Sequence, residues 1–491
     1  MTLLDLFDAS VAERSAALAL NDVSYGQLAT GTLRVARRLH EHGLRSGDRI
    51  ALYCENRPAF VYTYLAALRL GAIAVPANVL YRSSDLAHVL NDADVSLVLA
   101  SAETLPHLAH LDVPPIVAAD LVEAWASDTA IAPAERVFLP EPDAPAIVVY
   151  TSGTTGRSKG AVLTHANLAA IAAQLISAWR WTANDTLAIA LPLFHVHGLC
   201  AALNGTLACG ARLLLHKRFD AAAMLTQLQQ PGVTMFFGVP TMYVRLLELP
   251  EAVTLARLRL CVSGSAALSA DTFARVAARF GVTILERYGA TEFGFALGNR
   301  FGGPRIAGSV GIPFPGVRVR IASPAAAAVP EVAGIGELLV SGPNVFAGYW
   351  RNAEATAAAF VIDGDGTRWY RSGDLASYDS TQQVYRIVGR LKELIVSGGF
   401  NVYPLEVERE IDRFPGVRAS AVIGAPDPVR GESVVAFIEA QLDVPFAQAD
   451  LVAWLRERLA SFKVPKRVEL IEALPRNALG KVEKTKLRAL L

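Results

Sequence analysis

The residues best suited to chemistry form a loop rich in glycine and hydroxyl side chains that follows an apolar stretch. It reads YTSGTTGRSKG from Tyr150 to Gly160. Glycines let such a loop bend around a polyphosphate, and its backbone N–H groups, hydroxyls and two cations can bind the phosphate oxygens. The spacing differs from the GxxxxGK[ST] pattern of a Walker loop. We therefore predict a phosphate loop of another kind, with a surface turn as the alternative.

Six further motifs follow this loop along the chain. They are LFHVHG at 193–198, YGATE at 288–292, YRSGDL at 370–375, GRLKE at 389–393, SGGFNVYP at 397–404 and PRNALGK at 475–481. Together with the loop, the series resembles the motifs of the adenylate-forming enzymes, which include acyl-CoA synthetases, luciferases and peptide-synthetase adenylation domains. The resemblance implies that the chain uses ATP, Mg²⁺ and coenzyme A (CoA).

The resemblance also implies a first chemical step and the residues that carry it. A carboxylate is a poor acyl donor until its oxygen is part of a leaving group, so it attacks the α-phosphate of ATP and gives an acyl-adenylate and pyrophosphate. Glu292, with Thr151, would hold Mg²⁺ and spread the charge of the transition state. The positions that match the family's catalytic residues are Lys481, Thr291, Glu292 and His195. The loop residues assigned to ATP are Thr151, Ser152, Gly153, Thr154, Thr155 and Lys159.

Other motif positions would bind the rest of the nucleotide and CoA. By resemblance, Asp374 accepts the ribose hydroxyls, Arg390 is a second contact, and the ring of Tyr288 lies against adenine. The remaining nucleotide positions are Gly264, Ser265, Ala266, Glu286 and Gly289. In the family the small domain rotates about a hinge before the second step. The hinge position is Lys392, and the positions that would then face the pantetheine tunnel are Ser397, Gly398 and Gly399.

Two arginines indicate which acid is activated. Arg245 and Arg287 lie where a fatty-acid enzyme would have no charge, and together they would bind a second carboxylate of the substrate. The runs around them, GVPTMYVRLL and ILERYGATE, resemble malonyl-CoA synthetases, as do VSGSAAL and GPNVFAGYW. The alternative for each arginine is a surface ion pair, with Glu248 or Glu286. The positions predicted to contact the acid are Arg245, Arg287, His195, Ser263 and Ala290.

The resemblance favours malonate first and methylmalonate second. Ala290 stands where we expect methionine in malonyl enzymes, so an α-methyl group would have room, although Phe293 could fill that room again. A ligase for a short-chain or aromatic monocarboxylic acid is the main alternative. A nucleotide-binding sensor or scaffold without enzymatic activity is the other, and the presence of both Glu292 and Lys481 argues against it.

Composition excludes several classes of protein. Lys plus Arg and Asp plus Glu each number 46, so the net charge is 0 and provides no field for nucleic acid or anionic lipid. We expect no secretory leader and no membrane span. The four cysteines occur singly in apolar surroundings, which indicates buried free thiols and a cytoplasmic location. We expect no nucleic-acid partner, and the sequence carries no signal for oligomeric state.

Hydrophobic patterning predicts an α/β fold with two domains. Short apolar runs that end in Gly, Ser or Pro alternate with helical stretches, as at 146–150, 187–191, 234–237 and 258–262. Earlier in the chain we predict a helix at 25–42 and a strand at 49–54. We expect a large N-terminal body, residues 1–390, with stacked α/β sheets and a β-barrel-like part. Residues 391–491 would form a small, mobile α+β domain that carries Lys481.

Overall fold

The computed structural model describes residues 1–134, 140–151, 158–322, 334–441, 444–478 and 480–491. The α-helices in these ranges are α1 Leu3–Arg14, α2 Tyr25–Glu41, α3 Pro58–Arg69, α4 Ser83–Asp92, α5 Ala119–Ser127, α6 His165–Trp179, α7 Asn204–Cys209, α8 Ala221–Leu228, α9 Pro240–Leu247, α10 Ala270–Phe280, α11 Ala353–Ala358, α12 Pro404–Ile411, α13 Gln448–Arg458 and α14 Lys484–Arg488. A π-helix spans His197–Leu203, and short 3₁₀ helices span Leu105–Leu108 and Leu391–Glu393.

The strands extend over the whole chain. They are β1 Leu18–Leu20, β2 Val23–Ser24, β3 Arg49–Tyr53, β4 Ile73–Pro76, β5 Leu97–Ala100, β6 Ile116–Ala118, β7 Pro145–Thr151, β8 Lys159–Thr164, β9 Thr186–Ile189, β10 Arg212–Leu215, β11 Met235–Gly238, β12 Leu260–Ser263, β13 Ile284–Tyr288, β14 Leu297–Gly298, β15 Ile312–Pro313, β16 Arg318–Ala322, β17 Ile335–Ser341, β18 Gly348–Tyr349, β19 Phe360–Ile362, β20 Arg368–Asp379, β21 Val384–Arg390, β22 Ile395–Ser397, β23 Phe400–Val402, β24 Val417–Asp427, β25 Gly431–Ala440 and β26 Arg467–Leu470.

The chain divides into two compact units. The first contains residues 1–305, 313–318 and 341–368, and the second contains residues 306–312, 319–340 and 369–491. The second unit thus includes Asp374 and Arg390 together with the C-terminal residues. This division by contacts cuts the chain at other places than the predicted boundary at 390/391. The hinge at Lys392 stays a prediction.

The first unit contains two sheets built on parallel strands. One has the order β18-β8-β7-β4-β3-β5-β6, in which β7 and β8 pair antiparallel and Thr151 lies opposite Lys159. In the other, the order from β14 to β2 is β14-β13-β12-β11-β9-β10-β1-β2. Helices pack on both sheets. Helix α2, for example, begins with a capping box between Ser24 and Gln27. Its apolar face buries Leu28, Val35 and Leu39.

The second unit contains antiparallel sheets. Strands β16, β17, β20 and β21 form neighbouring pairs in one of them. The other has the order β23-β22-β25-β24, with β26 parallel to β25, and α12 and α13 contribute to its core. A large body and a smaller C-terminal domain confirm the predicted fold class.

Most elements predicted from patterning are observed within a residue or two. The predicted helix at 25–42 spans Tyr25–Glu41, and the strand predicted at 49–54 spans Arg49–Tyr53. All four cysteines are free, and Cys209 alone among them is only half-buried. Among the described residues, no helix is both long and apolar enough to cross a bilayer.

Candidate active site

The carboxyl ends of three neighbouring parallel strands gather several of the predicted residues. Strands β11, β12 and β13 lie side by side, and Ser263 at the end of β12 pairs in register with Glu286 of β13. Ligands of open parallel sheets collect where such strands end. The chain segments that leave these strands therefore carry the candidate acyl site of the first unit.

Arg287 is a buried cation at this edge. Its exposed fraction is 6%, its Nη2 donates to Ser265 Oγ at 3.3 Å, and its guanidinium lies 4.6 Å from the ring centre of Phe295. Among the described residues no carboxylate pairs with it, so the alternative of an ion pair with Glu286 is wrong. Burial lowers the pKa of Arg287 to about 9.

Backbone geometry creates the space for this guanidinium. A Cβ at Gly264 would lie 2.5 Å from Cζ of Arg287, so the guanidinium packs directly against the peptide backbone. Ser265, the next residue, has a φ of +71°, an unusual conformation that directs its side chain toward Arg287. Ala266 follows and is exposed.

Two histidines adjoin the arginine. His197 is fully buried, its Nδ1 lies 3.4 Å from Ser265 Oγ, and its ring stacks on Phe237. His195 is half-buried, and its Nδ1 accepts the backbone N–H of His197 at 3.3 Å. Burial, and then the charge of Arg287, lower the pKa of both rings. Neutral imidazoles therefore face the cation.

Arg245 lies elsewhere. It is exposed on α9, and its guanidinium lies 5.3 Å from the ring centre of Phe219. The exposed guanidinium of Arg245 thus contrasts with the buried guanidinium of Arg287. Helix α9 begins at Pro240 without a side-chain cap. The role of Arg245 stays a prediction.

The YGATE motif begins at the end of β13. Tyr288 is half-buried, and its ring is tilted 38° from that of the buried Phe293 at 5.6 Å. Gly289 is required by close approach, because a Cβ there would lie 2.0 Å from the carbonyl oxygen of Gly294. Ala290, Thr291 and Glu292 follow in half-buried positions. Phe293 thus packs against the tyrosine that we assign to adenine.

Glu292 and Lys159 both contact Tyr349. The Tyr349 hydroxyl donates to Glu292 Oε1 at 3.0 Å, and Lys159 Nζ lies 5.3 Å from the centre of the tyrosine ring. Thr151 ends β7 opposite Lys159 and donates to its carbonyl oxygen at 3.4 Å. The predicted positions Ser152, Gly153, Thr154 and Thr155 lie outside the described residues.

These residues fit Mg²⁺. The described residues contain no group of three His, Cys, Asp or Glu that could hold a metal by themselves. Mg²⁺ on a nucleotide keeps several waters and needs only one or two carboxylates beside the phosphate oxygens. Glu292, the position predicted to hold Mg²⁺, has such a carboxylate, and the Tyr349 hydroxyl donates to it.

A cavity of about 1020 Å³ opens beside Lys159. It is lined by α4, by Ser158–Gly160 and by Trp350–Asn352. Of the predicted ATP-site residues Lys159 lines it, and none of the predicted acyl-site residues does.

In the second unit, Asp374 and Arg390 form an ion pair. They lie opposite each other on β20 and β21, and Arg390 Nε lies 2.9 Å from Asp374 Oδ1. Buried Glu337 fixes the bend before Asp374, because it accepts the backbone N–H of Gly373 at 3.1 Å and pairs with Arg371 at 2.8 Å. The carboxylate assigned to the ribose is thus held at a defined place.

A tight turn presents Lys481 in the same unit. Asn477 Oδ1 accepts the backbone N–H of Lys481 at 3.1 Å, and Gly480 has a φ of +74°. Burial and the charge of Arg390 lower the pKa of Lys481 to about 8, against the opposing effect of Asp374. The charges of Arg390 and Asp374 therefore both act on Lys481 within this unit.

The SGGF segment forms a two-residue hairpin turn between β22 and β23. Gly398 and Gly399 have φ values of +60° and +82°, as the favoured hairpin turns require. Both are exposed, as is Lys392, whereas Ser397 is buried. Their predicted contacts with CoA stay predictions.

Comparison with known proteins places these features in a family. The family model of the AMP-binding enzymes matches residues 7–350, and that of the AMP-binding enzyme C-terminal domain matches residues 406–481. The chain belongs to the AMP-binding enzyme family. An ATP-bound structure of MatB from Rhodopseudomonas palustris has a TM-score of 0.91 and 36% identity and covers 100% of this chain and 99% of its own.

Two relatives of this chain are acid–CoA ligases by name. A feruloyl-CoA synthase of an Amycolatopsis species is 37% identical over 95% of this chain and 93% of its own. A mitochondrial malonate–CoA ligase of Mus musculus is 35% identical over 94% of this chain and 86% of its own. The chain is therefore an adenylate-forming acid–CoA ligase, which confirms the predicted class of enzyme.

Three site residues were missed from sequence. His197 lies in the LFHVHG motif and Tyr349 in the GPNVFAGYW run, but the sequence alone predicted no function for either side chain. Glu337 lies in none of the motifs. Proximity to His195 could have indicated His197. Tyr349 lies 57 residues along the chain from Glu292, so no local pattern pointed to their contact.

Proposed function

We propose that this ligase activates malonate, with methylmalonate as a second substrate, and transfers the acyl group to CoA. The observation that carries the proposal is Arg287, a buried guanidinium without a carboxylate partner among the described residues. A buried unpaired charge is costly. A dicarboxylic acid would pair its second carboxylate with Arg287, whereas a monocarboxylic acid would leave the cation unpaired.

The reaction runs in two balanced steps. One carboxylate of malonate attacks the α-phosphate of ATP, which forms the acyl–phosphate bond and releases pyrophosphate. The sulfur of CoA then attacks the acyl carbon, so that AMP leaves and the thiol proton is released. Family membership bears out the predicted use of ATP, Mg²⁺ and CoA.

We assign the roles within each unit as follows. In the first unit, Lys159 and Thr151 bind phosphate oxygens, Thr291 contacts the α-phosphate, and Glu292 holds Mg²⁺, which neutralises phosphate charge when bound. His195 borders the acyl group. Because its pKa is lowered, its imidazole is neutral and adds no second positive charge beside Arg287. In the second unit, Asp374 accepts the ribose hydroxyls, and Lys481 provides a cation for adenylation.

The test is CoA- and ATP-dependent release of AMP with malonate, methylmalonate, succinate, acetate, butyrate, benzoate and ferulate. Wild type is compared with Arg287→Ala and Arg245→Ala, and with Arg275→Ala as a control at an exposed helical site. We expect Arg287→Ala to lose the malonate preference, by roughly 100-fold in kcat/KM. A monoacid preference that survives Arg287→Ala would overturn malonate and favour the monoacid ligase. Methylmalonate at less than a thousandth of malonate's kcat/KM would remove the second substrate.

A further inference from the structure

Tyr349 connects the two parts of the phosphate site in the first unit. Its strand, β18, pairs with β8, the strand that begins at Lys159. On the other side, the backbone N–H of Phe346 donates to the carbonyl oxygen of Glu292 at 2.7 Å. The short segment that carries Tyr349 is therefore hydrogen-bonded both to the strand of the lysine and to the loop of the glutamate.

The side chain of Tyr349 repeats this connection. Its hydroxyl donates to Glu292 Oε1 at 3.0 Å, and the face of its ring lies 5.3 Å from Lys159 Nζ. A phenol hydroxyl that donates to a metal-binding carboxylate fixes the orientation of that carboxylate. An aromatic face attracts an ammonium group and restricts where it lies.

The tyrosine is itself held in place. Its backbone N–H donates to Thr356 Oγ1 at 2.9 Å, and that hydroxyl donates to the carbonyl oxygen of Asn352 at 2.7 Å. Its ring meets Phe346 edge to face, with ring centres 5.0 Å apart. A rigid tyrosine can position two flexible charged side chains at once.

We infer that Tyr349 is a positioning residue that orients the Glu292 carboxylate for Mg²⁺ through its hydroxyl and the Lys159 ammonium for phosphate through its ring. The inference rests on the roles proposed for Glu292 and Lys159. It deepens the proposed site, because it makes metal binding and phosphate binding depend on one side chain through two separable groups.

Tyr349→Phe and Tyr349→Leu separate the two groups. Tyr349→Phe removes the hydroxyl and keeps the ring, so we expect the half-saturating Mg²⁺ concentration in ATP–pyrophosphate exchange to rise about 10-fold. Binding of Mn²⁺ in the presence of α,β-methylene-ATP, followed by electron paramagnetic resonance, should weaken equally without any turnover. At saturating metal, KM for ATP should stay within twofold of wild type. Tyr349→Leu should raise both quantities.

Double variants and one control decide the outcome. In a Glu292→Gln background, Tyr349→Phe should add nothing, because the carboxylate that it orients is gone. Tyr25→Phe loses a buried phenol that bonds only backbone carbonyls in the described structure, so it should lower the melting temperature without changing metal dependence. If Glu292→Gln weakens metal binding but Tyr349→Phe leaves the metal dependence unchanged, the inference about Tyr349 is overturned while the proposed role of Glu292 stands. Unchanged metal dependence in Glu292→Gln overturns the proposed role of Glu292, and the inference with it.

Discussion

A buried or half-buried cation marks the predicted site of each unit. The guanidinium of Arg287 lies against the ring of Phe295, and the charge of Arg390 acts on Lys481. In both cases burial is the main reason that the pKa lies below its ordinary value. Each cation is therefore poised to gain from an anion that enters its site.

The lowered pKa of Lys481 predicts the direction in which activity changes with pH. Because its pKa is lowered to about 8, the free enzyme loses this cation as pH rises through that value. We expect kcat/KM for malonate-dependent pyrophosphate exchange to fall above pH 8, since this parameter reports the free enzyme. Lys481→Arg should move the falling limb to higher pH. A limb that does not move would assign the titration to another group.

The buried charge of Arg287 should lower the free energy of unfolding of the substrate-free protein. Burial lowers the pKa of Arg287, and no carboxylate among the described residues offsets this, so the folded state holds the charge less favourably than the unfolded state does. Arg287→Met should stabilise the apo protein by about 1–3 kcal/mol at neutral pH. Thermal unfolding measures this, with Arg275→Met as the control. Malonate should raise the melting temperature of wild type and leave that of Arg287→Met unchanged.

At the scale of elements, turns between strands and the following segments set the geometry. Gly289 permits the chain to pass the carbonyl of Gly294 at the end of β13. We expect Gly289→Ala to destabilise the protein by about 1–3 kcal/mol through this overlap. Chemical denaturation compares it with Gly232→Ala, where an added Cβ meets nothing within 4 Å. Equal stability of the two variants would contradict the close approach.

Sequence patterning predicts elements better than contacts between them. The strand end that carries Ser263 follows from the apolar run 258–262, which stops at serine, because local periodicity encodes such a strand. The contact of Ser265 with His197 joins residues 68 positions apart and needs a positive φ at a serine, which no propensity indicates. The exposure of Arg245 depends likewise on how α9 packs, which helical spacing alone does not fix.

The whole molecule performs two half-reactions, and one substitution should separate them. Lys481→Gln removes the cation proposed for adenylation, so pyrophosphate exchange should fall by at least about 100-fold. Formation of malonyl-CoA from supplied malonyl-adenylate and CoA should continue. Lys486→Gln, an exposed lysine of α14, is the control for both assays. Equal loss of both half-reactions in Lys481→Gln would contradict a role confined to the first.

The packing of Arg287 against Gly264 has an evolutionary consequence. Any side chain at position 264 would occupy the volume of the guanidinium. Among relatives, glycine at 264 and arginine at 287 should therefore be inherited together, and a lineage that acquires a larger residue at 264 must first give up the arginine. The pair would serve as a diagnostic marker when uncharacterised genomes are searched for ligases with the proposed preference for malonate.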